Sequence, residues 1–196
     1  MKNKVKKSIW VVTFGVAGYF SFFYFLIGPA VLPPEFQTAR LIGADLAEQI
    51  TFLSNKSLRS LNAIAKYDAD KNHNEALILV SRALIDNREV YDRAVQLSTQ
   101  LALMAQKIGD IRPAEGREIA SEAITYEVAL VSHLINYNAT LRDLFEVLRG
   151  KFLGNLPSSD IRVARLLNEI NESTTVINGL NKAFNDTLEK FDLIYK

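Results

Sequence analysis

Residues 163–194 read VARLLNEINESTTVINGLNKAFNDTLEKFDLI, and within them Val163, Ile170, Ile177, Phe184 and Phe191 recur every seven positions. Leu166, Leu167, Leu180, Leu188 and Ile194 fill in beside that row. Apolar side chains three to four residues apart give a helix one dry face, and a dry face this long has to be covered by other helices. The stretch therefore predicts a long amphipathic helix in an all-α assembly, and the question is whether the rest of the chain supplies partners of matching length.

Working upstream, three further segments carry the same spacing. Ile119, Ile124, Val128, Val131, Leu134, Ile135, Leu141, Leu144, Phe145 and Leu148 mark a helix over about 112–150, with Pro113 in its first turn and fraying near Gly150 and Gly154. Leu77, Val80, Leu84, Tyr91, Ala94, Leu97, Leu101, Met104 and Ile108 mark another over about 74–108, stopped by Gly109-Asp110. Ala39, Leu46, Ile50, Leu53, Leu58, Leu61 and Ile64 mark the first, over about 35–67. With the last helix over about 158–195, short turns join four long helices, which predicts an antiparallel up-down-up-down bundle about 50 Å long in which the 68–74 and 150–159 turns share one end. No strand-like alternation of useful length competes. A solenoid of shorter helical repeats is the alternative: Glu75-Ala76-Leu77 and Arg82-Ala83-Leu84 faintly resemble tetratricopeptide spacing, but such a fold needs a break near Asp86-Asn87 that no glycine or proline marks.

Ahead of the bundle, residues 8–34 contain no charged side chain and follow a basic tip, 1–7, holding Lys2, Lys4, Lys6 and Lys7. A bilayer core about 30 Å thick needs about 20 apolar residues, so a transmembrane helix is expected over 8–32, with the bundle occupying 33–196. Signal-peptide apolar regions run only about 7–15 residues, shorter than this aromatic-rich stretch. Lysines stay cytoplasmic, which orients the chain as a single-pass protein with a cytoplasmic N-terminus and an extracytoplasmic body, in a bacterial inner membrane or a plasma membrane. Thr13, Ala17 and Ser21 recur every four residues and form a candidate packing face for a second transmembrane helix, including that of a second copy in a homo-oligomer.

Composition removes several function classes. Four of the chain's 23 basic residues lie in the tip, leaving 19 against 22 acidic ones in the body, without the concentrated positive face that nucleic acid requires. The absence of cysteine excludes disulfides, thiolate zinc sites, cysteine-ligated iron–sulfur clusters and covalent haem. Asp68, Asp70 and Asn72 begin like a calcium loop, but His73 stands where the bend needs glycine and Leu79 where a glutamate should close the shell. Neither His73 nor His133 belongs to a Glu-x-x-His motif of the di-iron kind, and Met104 and His133 sit about 24 Å apart along a hairpin, too far to share a haem iron. Glu115, Glu118 and Glu122 suit the positive end of a helix dipole. No catalytic constellation or cofactor site is expected, and the chain is read as a non-enzyme.

Polar patterning supplies one candidate surface. Asn171, Asn178 and Asn185 repeat every seven residues, with Asn181 close by, and asparagine is a mediocre helix former. An aligned amide row of this kind is a candidate partner interface. The Asn-x-Ser/Thr patterns at Asn55, Asn138, Asn171 and Asn185 lie inside expected helices and are read as chance. These features lead to the expectation of a membrane-anchored scaffold that assembles with other membrane or envelope proteins. The layout also resembles the four-helix ligand-binding domains of chemotaxis receptors, which implies an extracytoplasmic sensor as the alternative. Such receptors return through the membrane, whereas this chain ends at Lys196 without a second span, so a signal would pass through a partner.

Overall fold

The computed structural model describes residues 32–156 and 159–194. The basic tip and the expected transmembrane helix, with Thr13, Ala17 and Ser21, lie outside the described residues, Leu32 alone excepted. Among the described residues no helix is long and apolar enough to cross a membrane.

Four helices and no strand make up the described chain: α1 (Pro34–Ala69), α2 (His73–Lys107), α3 (Ala114–Phe152) and α4 (Ser159–Ile194), with a 3₁₀ turn at Ile108–Asp110. The fold is an all-α helical bundle. Pro33 and Pro34 start α1, where a missing N–H costs nothing because the first-turn amides have no intrahelical acceptor. Leu32 packs onto the bundle core, and its carbonyl accepts a bond from Gln37 Nε2 at 3.4 Å. Acidic Glu35, Glu75 and Glu115 occupy first turns while Lys66, Lys107 and Lys151 occupy last turns, each matching the helix dipole. Pro113 stands one residue ahead of α3 as its N-cap instead of inside the first turn, so the helix starts at Ala114, later than expected.

Two helix ends close by the same hydrogen-bond pattern. At the end of α3, Asn155 N–H reaches Gly150 O and Gly154 N–H reaches Lys151 O, both at 3.0 Å, with Gly154 in the left-handed region at φ 72°. Gly150 does not fray the helix. A Cβ there would collide with the Leu156 side chain, so this glycine admits the returning loop. At the end of α1, Asn72 N–H meets Tyr67 O at 2.8 Å and Lys71 N–H meets Asp68 O at 3.1 Å, with Lys71 rather than glycine at φ 57°.

Consecutive helices pack side by side in opposite directions. Lys107 of α2 lies 3.9 Å from Glu35 at the start of α1, while Lys56 and Asp86 pair at 2.7 Å nearer the middle. Lys151 at the end of α3 reaches both Asp68 of α1, at 2.8 Å, and Asp160 of α4, at 3.1 Å, so the 68–74 and 150–159 turns meet at one end. There His73 also lies tilted against Phe152, ring centroids 5.5 Å apart. α2 runs unbroken through Asp86-Asn87, which rules out the repeat solenoid.

The apolar core divides along the bundle axis. One cluster, at the Leu32 end, joins Phe36, Ile50, Leu97, Leu101, Ile111 and Phe191; the other, at the Lys151 end, joins Ile64, Val80, Leu144, Phe145 and Ile170. Between the two, each helix contributes polar side chains at core positions.

Candidate functional site

Midway along the bundle, α2 and α3 are tied by a reciprocal amide clasp. Asn87 Nδ2 donates to Asn138 O at 3.0 Å and to Asn138 Oδ1, and Asn138 Nδ2 donates back to Asn87 O at 2.7 Å. Both residues are buried. A one-residue slip of either helix would strand these groups in an apolar interior, so the clasp fixes the α2–α3 register. At the same level Lys56 of α1 grips Asp86, buried next to Asn87. Buried Ser57 Oγ, Asp86 Oδ2 and Asn171 Oδ1 make no hydrogen bond to another described residue, which marks the layer as a place for ordered water.

A second polar interruption lies inside the cluster at the Leu32 end. Glu127 of α3 is 1 % exposed, beside a cavity of about 20 Å³ whose lining includes Phe36, Arg40, Met104, Ala123, Phe184 and Leu188. A single water takes roughly 10–15 Å³ on this measure, so the cavity has room for a water and not for an organic ligand. Burial pushes the Glu127 carboxyl up to about 8, against which the Arg40 guanidinium pulls more weakly downwards. Near neutral pH the carboxyl is protonated. Its Oε1 has no hydrogen-bond partner among the described residues, and a water in the cavity would satisfy it.

No family model, curated protein or solved structure matches this chain. The reading of its sites therefore rests on the geometry alone.

Asn171, Asn178, Asn181 and Asn185 are all half-buried, flanking the buried stripe of Ile170, Ile177 and Phe184. They sit on the border of the core, not on the outermost face of α4. Asn138 is not available to glycosylation in the folded chain, because its amide is buried in the clasp. Met104 lines the Glu127 cavity and His133 does not. Among the described residues no group of three His, Asp or Glu side chains could hold a metal ion. Asp68, the first residue of the calcium-like run, is held by Lys151; partial burial lowers the lysine's pKa, but the hydrogen bonds and charges of Asp68 and Asp160 outweigh that and leave it raised. The exposed glutamates of α3 stay at its surface, where Glu122 accepts a bond from Tyr126 Oη at 3.3 Å.

Periodicity misses Glu127 because it follows the apolar neighbour: Val128 is expected inside, yet it is 51 % exposed while Glu127 is buried, just as Tyr91 is 47 % exposed while Val90 is buried. Asn87, flanked by Asp86 and Arg88, is missed because an apolar pattern passes over polar residues altogether. The available signal was angular, since Val90 and not Tyr91 keeps the α2 row of Ala83, Asn87, Ala94, Leu97 and Leu101 in register.

Proposed function

We propose that this chain is a non-catalytic, membrane-anchored helical-bundle subunit that scaffolds or assembles a membrane or cell-envelope protein complex. The observation that carries the reading is the charge-free run from Ser8 to Pro34 behind four lysines, leading directly into a four-helix body. On this reading residues 8–32 cross the bilayer, the lysines stay cytoplasmic, and the bundle lies on the extracytoplasmic side of a bacterial inner or plasma membrane. Interlocked by the Asn87–Asn138 clasp and the Lys56 and Lys151 ion pairs, the bundle is a stiff rod, which suits a part that spaces others. Its flanks carry large apolar side chains in the open, among them Phe52 at 62 % and Ile161 at 75 % exposure, of the kind that anchor partner contacts. Asn178 and Asn181, half-buried on α4, add amide groups at the surface of that helix.

The sensor alternative requires a ligand site, and the cavity at Glu127 is too small for a metabolite. Extraction of the full-length chain in mild detergent, affinity purification and mass spectrometry test the proposal. Stoichiometric companion proteins, reduced by Asn178→Leu, are the expected result. A lone monomer whose melting temperature rises with a small molecule would favour the sensor instead.

A further inference from the structure

Past its midpoint α4 changes character. Gly179 lies inside the helix, exposed, with open space where a side chain would stand, so neither close packing nor a left-handed backbone calls for glycine there. Proline apart, glycine is the costliest residue in a helix interior, and Asn178 and Asn181 beside it are poor helix formers as well. Just upstream, Thr174 Oγ1 donates to Ile170 O at 2.8 Å and Thr175 Oγ1 to Asn171 O at 3.2 Å, back-bonds of a kind that bend helices. Beyond this weak joint the apolar grip is thin. Phe184 and Leu188 form a small cluster of their own with Ala123, and the cavity beside Glu127 lies between them and Phe36 and Met104 of the main cluster at that end. The helix rejoins that main cluster at Phe191 and Ile194. Along its length α4 lies against α3 and approaches α1 less closely.

We infer that residues 180–194 of α4 form a proton-operated arm jointed at Gly179, closed while Glu127 keeps its proton and lifting from α1 and α3 when the carboxylate is drawn to water. Glu127 stands on the bundle side of the cavity and Phe184 and Leu188 on the arm side, so lifting the arm is the motion that wets this carboxyl. Among the described residues that line the cavity, one other is charged: Arg40 of α1, which favours the ionised form. α2 presents Met104 there, α4 presents Phe184 and Leu188, and the turns of α3 around Glu127 present Ala123 and Ile124, none of which titrates. Elsewhere the bundle is tied down: the Asn87–Asn138 clasp joins α2 to α3, and Lys151 joins the far end of α3 to Asp68 and to Asp160 at the start of α4. Burial of Phe191 keeps the open form a minority, so the arm shows itself as a rate of exposure and not as a change of average shape. This inference stands on the cavity and the joint and does not depend on the membrane reading.

Cysteine trapping of the full-length chain in mild detergent reads the arm, because the chain has no cysteine of its own. Thr187→Cys puts a thiol at a buried position on the arm, and Ser57→Cys puts one at a buried position off it. Dividing each labelling rate by that of an exposed thiol, Lys190→Cys, at the same pH removes the titration of the thiol itself. The Thr187→Cys ratio should rise about tenfold per pH unit between about pH 6 and pH 7.5, since opening releases a proton there, and level off above about 8, where the closed form ionises as well. Glu127→Gln should leave that ratio flat with pH. Gly179→Ala should lower it about fivefold at every pH, because alanine holds the joint helical. Ser57→Cys, exposed only by wider unfolding, should label about tenfold more slowly or less. A ratio flat with pH in the Thr187→Cys chain, a slope that survives Glu127→Gln, indifference to Gly179→Ala, or equal rates for Thr187→Cys and Ser57→Cys would overturn the inference.

Discussion

Replacing Glu127 by glutamine should change how stability depends on pH. The carboxyl titrates near 8 in the fold against 4.5 as the ordinary value, so between those limits the folded chain holds a proton that the unfolded chain has released. Stability from this group is complete below about pH 4.5 and is lost as pH rises towards and through the folded value. A shift of this size corresponds to about 5 kcal/mol in full, and to about 4 kcal/mol between pH 5 and pH 9, as a ceiling set by how little the site relaxes. The Glu127→Gln chain keeps the shape and carries no titrating proton there. Urea unfolding of the full-length chain in non-ionic detergent, followed by circular dichroism, should find the two proteins close at pH 5 and the glutamine variant increasingly the more stable as pH rises, with unchanged denaturant slopes. A stability difference that stays constant from pH 5 to pH 9 would refute the argument, because it would mean that Glu127 is ionised in the fold or reaches bulk water.

Two other substitutions test how the bundle is held. Asn87→Leu removes the donor to Asn138 Oδ1 and Asn138 O, while Asn138 Nδ2 keeps its bond to the backbone carbonyl of residue 87, and should destabilise by about 1–3 kcal/mol; Asn87→Leu combined with Asn138→Leu should recover much of that loss in the same urea titration. Equal, additive losses would show that the clasp does not act as a unit. Lys71→Gly relieves a side chain held at φ 57° and should raise stability by about 0.5–1 kcal/mol, seen as a higher melting temperature; a lower one would mean that the greater freedom of glycine in the unfolded chain outweighs that strain.

The four helices were legible in the sequence because apolar residues at Ile170, Ile177, Phe184 and their counterparts upstream keep helical register for many turns, and tertiary packing agrees with them. The stops at Gly154 and Asp68–Asn72 were visible as turn chemistry, although Lys71 in a glycine conformation was not, since only the closing bonds to Tyr67 and Asp68 hold it there. The polar layers were the part that the residues hid. Asp86, Asn87 and Glu127 resemble surface residues one at a time; they are interior because the helical angle leaves no other choice, and because Lys56, Asn138 and the Arg40 side receive them. A hydrophobicity pattern rewards the nearest apolar neighbour, so it exchanged Glu127 for Val128 and Val90 for Tyr91. The asparagine row was visible as a period of seven, but whether it faces outwards depends on α3 and α1 as well, and the answer, half-buried at the edge of the core, is a packing outcome.

The claim beneath all of this is that residues 8–32 hold the bundle on the far side of a membrane from the four lysines. Cysteine labelling reads it directly, since Lys4→Cys and Asn74→Cys each create a single thiol in a chain that has none. In intact cells a membrane-impermeant maleimide should label the Asn74→Cys chain without lysis and the Lys4→Cys chain only after lysis. The reverse pattern, or release of the chain from membranes by alkaline carbonate, would contradict the account.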